Sequence, residues 1–578
     1  YNTAVGKDAL VAVTDGSNNT VIGSGAGDAL TGGEQNVAVG ANSLSTSTGI
    51  DGTVAVGYSA LNALTSGAGN VAVGYQAMAA QTDGVRNIAI GYQAFDSANS
   101  SEDDNIAIGY AALGNLDHTG AEANIAIGSY AGDGMGAYAH TNNILIGFET
   151  GSGTWGGACV ANTAIGDYSM DAAMNGANYN TGVGYQSLSA LTSGDNNCVL
   201  GTENLKALTT GNRNIAIGSN VMDAADGAES DNIAIGYDAM GNLNDDGAVK
   251  NIAIGNYAVN GMGTVGASSN NIFIGYDAGG GTWETAVSEH NIGIGNYSLD
   301  AAMNGALRNV AMGFAALGAV NQGDDNTAIG HNAGLAINTG SQNTIIGSLA
   351  GDGFDAESDN TFIGYKAGTG SGSAASCVAV GSDSLAGAIT QDGTIAIGYQ
   401  SLNALTSGVR NLAVGYQSLA TNTTGGDNIM IGYQAGAIAN EAGFAQNVGI
   451  GSYVFDGAGT VAAENNTAVG YATLSGTLTA AADDNTVVGF KAGFAITSGA
   501  NNVGVGSNAL LALTSGGGNV AVGFESLMTE NAGSGNVALG YRALKTVDND
   551  DGHNIAIGYE AMVNSANAYY NIAIGRSA

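Results

Sequence analysis

Carboxylates gather at intervals along this chain. Glu102-Asp103-Asp104, Asp245-Asp246, Asp324-Asp325, Asp483-Asp484 and the run from Asp548 to Asp551 each set acids side by side. Paired carboxylates offer the oxygen ligands that Ca²⁺ takes, and Asp548, Asp550 and Asp551 form the segment most worth testing. None of these segments has EF-hand spacing or the glycine-rich nonapeptide of calcium-binding β-rolls. Solvated acidic turns are the simpler reading, with no cofactor required and Ca²⁺ the one ion the loops could take. His118, His140, His290, His331 and His553 are scattered, and no Ser/His/Asp set, phosphate loop or metal spacing accompanies them. The pairs Gly182/Gly184 and Gly504/Gly506 sit inside a strand pattern and are poor evidence for a nucleotide. The chain reads as not an enzyme.

Trp155 and Trp283 are the only tryptophans, both in lengthened loops. A ring exposed on a loop suits contact with a sugar or a protein. The competing reading lays each flat over a neighbouring segment, since Trp is highly buried on average. They are the candidate recognition residues. Cys159, Cys198 and Cys377 lack metal-like spacing. Cys198 and Cys377 read as small buried substitutes.

What must position these residues is a repeat. Asn411-Leu412-Ala413-Val414-Gly415-Tyr416-Gln417-Ser418-Leu419 has 33 versions between Asn2 and the last residues, anchored by glycines 17 to 20 residues apart, among them Gly74, Gly91, Gly109 and Gly415. Such a period marks a solenoid. Counting from each glycine as zero, position −4 is Asn in 30 repeats (Asn70, Asn87, Asn105 and Asn411 among them), the exceptions being Thr53, Cys377 and Thr394. Position −3 is Ile, Val, Leu or Thr, once Cys; −1 is always aliphatic or Met; −2 is mostly Ala. This alternation, closed by Gly, is a short strand and a corner. Stacked Asn side chains would bond one another up the axis. Tyr or Phe at +1, as in Tyr75, Tyr92, Tyr110 and Tyr416, would form a broken ring ladder. All length variation falls in the polar segment that follows, the expected outer loop.

No charged residue occupies −4 to 0 in any repeat, which predicts strands dry on both faces. The −2 position outgrows Ala in eight repeats, and in seven of them +4 is Gly: Val21/Gly27, Leu145/Gly151, Phe273/Gly279, Ile345/Gly351, Phe362/Gly368, Met430/Gly436 and Val487/Gly493. Val199 with Leu205 is the exception, and Ala126/Gly132 and Ala328/Gly334 carry the Gly without the bulk. Two side chains filling one volume would behave this way. The Ile/Val face then needs another cover, a second layer or a second chain. Residues 91–218 resemble 218–347, an internal duplication, and no linker divides the chain. The expectation is an all-β fold, a single β-solenoid over 1–578 with about 33 coils, forming an elongated rod.

Acids outnumber bases 49 to 12, a net charge of −37. That argues strongly against nucleic acid and anionic membrane surfaces as partners, and no apolar run is long enough to insert in a bilayer. A start at Tyr1, without methionine or signal peptide, suggests a fragment of a longer protein.

Asn-Ile-Ala-Ile-Gly-Tyr-Gln-Ala-Phe (87–95) and Asn-Val-Ala-Val-Gly-Tyr-Gln-Ala-Met (70–78) resemble the head repeats of trimeric autotransporter adhesins, and equally the arrays of phage tail-fibre proteins. The resemblance spans the chain, although adhesin heads usually repeat near 14 residues. It implies a homotrimeric β-roll at a cell surface or on a virion, extracellular, attaching to a glycan or protein receptor. The expected function is a structural fibre or adhesin segment that associates with itself. The alternatives are an ice-binding or Ca²⁺-stabilised surface solenoid, and a polysaccharide-cleaving β-helix.

Overall fold

The structure is a computed structural model of the chain. It describes all residues except 100, 264–266, 371, 441–442, 460, 480–481, 548–551 and 566–567. It is a parallel β-solenoid of about 33 turns, with no helix among the described residues. The chain divides into two compact units: Tyr1–Asn291 with Ala301–Gly305, and Ile292–Asp300 with Ala306–Ala578.

Each repeat contributes one short strand. The first unit holds those from Thr3–Val5 to Ile272–Ile274, the second those from Ile292–Ile294 to Ile572–Ile574. Pairing is parallel and without offset, so like positions stand in columns: Val71↔Ile88↔Ile106 and Ala72↔Ala89↔Ala107 in the first unit, Leu412↔Ile429 and Ala413↔Met430 in the second. The second unit adds two small pairings, Phe444–Ala445 with Ala463–Glu464 and Thr546–Val547 with Asn564–Ser565.

The anchor glycine has a steric cause. At Gly91, φ is +148° and an added Cβ would lie 2.0 Å from the carbonyl oxygen of Gly109 one turn on; at Gly74, Gly109 and Gly415 the same distance is 2.1, 2.2 and 2.2 Å. After this corner the backbone enters the left-handed region at +2 and +4, as at Gln76 (φ 54°) and Met78 (48°) or Gln417 (50°) and Leu419 (49°). Non-glycine residues enter that region at a cost of about 1–2 kcal/mol each. It persists here because +4 is fully buried beside −2, so packing over-determines the turn.

The interior is built from the −2 and +4 columns, as the volume pattern predicts. A Cβ on Gly279 would approach Phe273 to 2.8 Å, on Gly368 would approach Phe362 to 2.7 Å, and on Gly493 would approach Val487 to 3.0 Å. The unexplained glycines answer to the turns on both sides: a Cβ on Gly132 would meet Leu113 at 2.7 Å and Leu145 at 3.0 Å, and one on Gly334 would meet Leu317 at 3.0 Å and Ile345 at 3.1 Å. Val199, which keeps Leu205, pairs with Gly182 in the preceding turn. Compensation therefore runs along the stack as well as within a turn.

The opposite strand face is not dry within the single chain, which removes a second layer of the same chain as its cover. Positions −3 and −1 are half-buried or exposed, with Ile90 40% accessible, and no second layer among the described residues covers them. Absence of charge there does not reflect burial within the chain. Cys198 lies in this outward −3 column and is exposed, whereas Cys377, at −4, is buried.

Candidate functional site

The features that could act on a partner lie on the outward sheet face. Alternation along each strand sends −3, −1 and +1 to one side. Zero-offset pairing turns them into three parallel columns: Ile/Val/Thr, then Ile/Val, then a mixed column with runs of Tyr and Phe. Tyr58, Tyr75, Tyr92 and Tyr110 stack in succession with centroids 5.3, 4.9 and 5.3 Å apart and planes within 14°. Tyr399, Tyr416 and Tyr433 repeat this at 5.3 and 5.1 Å. All seven rings are exposed. Where the tyrosine shifts to +2, stacking gives way to edge contacts, as between Tyr110 and Tyr130 (65°).

The asparagines form a buried ladder. Asn105 Oδ1 accepts from the backbone N–H and the side-chain amide of Asn124, 3.0 Å each, while its own amide donates to the Ala121 carbonyl at 3.0 Å. Asn70 and Asn87 each accept from the next backbone N–H at 2.9 Å, and Asn411 from that of Asn428 at 3.1 Å. The ladder consumes the amides' hydrogen-bonding capacity in holding turn to turn. Where Cys377 interrupts it, the Asn360 amide nitrogen is buried without a partner.

Both tryptophans are interior. Trp155 is 1% and Trp283 3% accessible, so neither ring is presented from its loop. Trp283 donates Nε1–H to the Gly279 carbonyl at 2.9 Å, whereas Trp155 Nε1 finds no acceptor and its ring meets His140 edge-on at 5.1 Å. His140 is fully buried, accepts at Nδ1 from the Cys159 backbone N–H (3.2 Å), and is pushed down to about 4 by burial and by neighbouring His118. Nothing in the spacing of the histidines foreshadowed this contact, because it links loops of two successive turns.

The paired acids have structural partners. Asp103 Oδ1 accepts from the Val85 N–H and Asp324 Oδ1 from the Leu307 N–H, both at 2.8 Å. Their neighbours Asp104 and Asp325 make two-pronged pairs with Arg86 and Arg308, with nearest distances of 2.6 Å. Hydrogen bonding to the guanidinium holds both carboxyls below the usual range. Among the described residues no three His, Cys, Asp or Glu side chains converge as metal ligands. Asp548, Asp550 and Asp551 lie outside the described residues. No protein-family model matches the chain, and no curated protein does.

Proposed function

We propose that this chain is a segment of a structural fibre or adhesin, working outside the cell or on a virion, in which copies pack through the outward sheet face and together serve attachment. The observation that carries this reading is that face itself: a half-exposed surface whose −3 and −1 columns are uncharged at every turn and whose third column carries runs of aromatic rings. Contiguous apolar patches beyond roughly 300–600 Å² are unusual on monomers. Two aliphatic columns and one aromatic column running through many turns exceed that. The remaining surface is strongly acidic, which favours association through the uncharged face over contact elsewhere. The resemblance of residues 70–95 to adhesin and tail-fibre repeats points the same way.

The native mass tests it, with thiol alkylation as a second readout. Cys198 is the one exposed cysteine and stands on the face. The expected result is a multiple of the chain mass and slow alkylation of Cys198. Ile217→Lys with Ile329→Lys, both on outward positions, should return single chains that react fast. A single-chain mass for the unaltered protein would overturn the packing.

A second reading gains from the same face. Thr327, Thr344 and Thr361 are adjacent and outward-facing, half-buried rather than enclosed, and an ordered hydroxyl row is what ice binding needs. Thermal hysteresis in the purified chain would favour it.

A further inference from the structure

We propose that the slot between the tyrosine column and the adjoining −1 column, Tyr58, Tyr75, Tyr92 and Tyr110 facing Val56, Val73, Ile90 and Ile108, binds a long, flat aromatic cation lying parallel to the stack. The slot is straight because the pairing Val56↔Val73↔Ile90↔Ile108 carries no offset. Its walls are the residues on either side of the anchor glycine, the end of each strand on one side and the tyrosine beyond the corner on the other. Both columns are partly open to solvent along this run, so a flat ring can lie between them and touch both. Its floor is bare backbone, since the glycine between the walls has no side chain and a Cβ there would point into the next turn.

The stacking decides which ligands fit. Each inner ring of the run has its faces covered by its neighbours at about 5 Å, so edges and hydroxyls are what solvent meets. A sugar, which packs on an open ring face, has no platform here. A rigid aromatic rod gains contact with every turn it crosses, and four turns at ~4.8 Å give a run of about 14 Å between the end rings. The charge follows from the net −37 of the chain, whose field concentrates cations at an uncharged slot.

Thioflavin T, a flat rod-like cation, is the probe. Titration should show saturable fluorescence enhancement, measured on the unaltered chain and on the Ile217→Lys/Ile329→Lys variant, whose substitutions lie outside both tyrosine runs. Should association cover the slot, the variant binds more dye than the parent, so the two ideas are separable. Tyr75→Ala with Tyr416→Ala, breaking both runs at the middle, should weaken binding at least tenfold with the melting transition retained. Tyr179→Ala, an exposed tyrosine outside the column, should leave binding unchanged. No enhancement in either protein, undiminished binding in the tyrosine double variant, or equal binding of an uncharged analogue would overturn the proposal.

Discussion

Asn422 is buried among apolar neighbours with neither amide atom bonded. Its column holds Leu405 one turn before and Ala439 one turn after, both buried. An unpaired buried polar group costs about 1–3 kcal/mol. Asn422→Leu should therefore stabilise the chain by roughly 1–2 kcal/mol, read as a higher denaturation midpoint. His140 carries a sign-definite pH effect. Its folded value of about 4 lies below the ordinary 6.5, so the unfolded chain binds the extra proton and stability is lost as pH falls from about 6.5 to 4. His140→Gln should remove up to about 3 kcal/mol of that slope, seen by comparing melting at pH 7 and pH 4. Burial raises Asp96, Asp133 and Asp171 instead. Their ionisation opposes folding at neutral pH and is relieved on acidification. Asp133→Asn should accordingly melt higher than the parent at pH 7 and lose that advantage as pH falls towards the raised value.

At the scale of one turn, the sequence was legible wherever sterics act within a repeat. Gly at zero, Asn at −4 and the exchange of bulk between −2 and +4 all follow from contacts one register apart, and spacing exposes them. Ala396→Phe should then destabilise by about 1–3 kcal/mol through overpacking, and Leu402→Gly should recover most of it, aided by the positive φ of 49° at that position. A double-mutant cycle measures the coupling, and simple additivity would disprove the shared volume. The outward face was only half legible, because a charge-free strand looks the same whether its cover comes from its own chain or from elsewhere. The tryptophans were ambiguous because loop position does not say which way an indole folds, and Trp155 and Trp283 both fold inward. The contact between His140 and Trp155 needed knowledge of which loop residues become vertical neighbours, and loops of unequal length hide that.

Across the whole molecule, acids and apolar surface are segregated. Charge sits in the loops, where it is tied down by backbone N–H groups and arginines, and is missing from the −4 to 0 segment of every repeat. Ion pairs at such exposed positions add about 0–1 kcal/mol each, so the stack is held by buried columns instead. The Lys substitutions proposed at Ile217 and Ile329 should for that reason alter association far more than folding.

Compensation between turns also restricts how such a chain can be lengthened or shortened by recombination. A repeat that packs only against itself can be excised or copied whole and its neighbours will not notice. Gly132 is different, since its vacancy is shared by Leu113 of the turn before and Leu145 of the turn after. Remove the turn bearing Leu145 and a hole opens beneath; insert an ordinary alanine-and-leucine turn between the two and both neighbours are mispacked. Turns of that kind must be inherited in pairs.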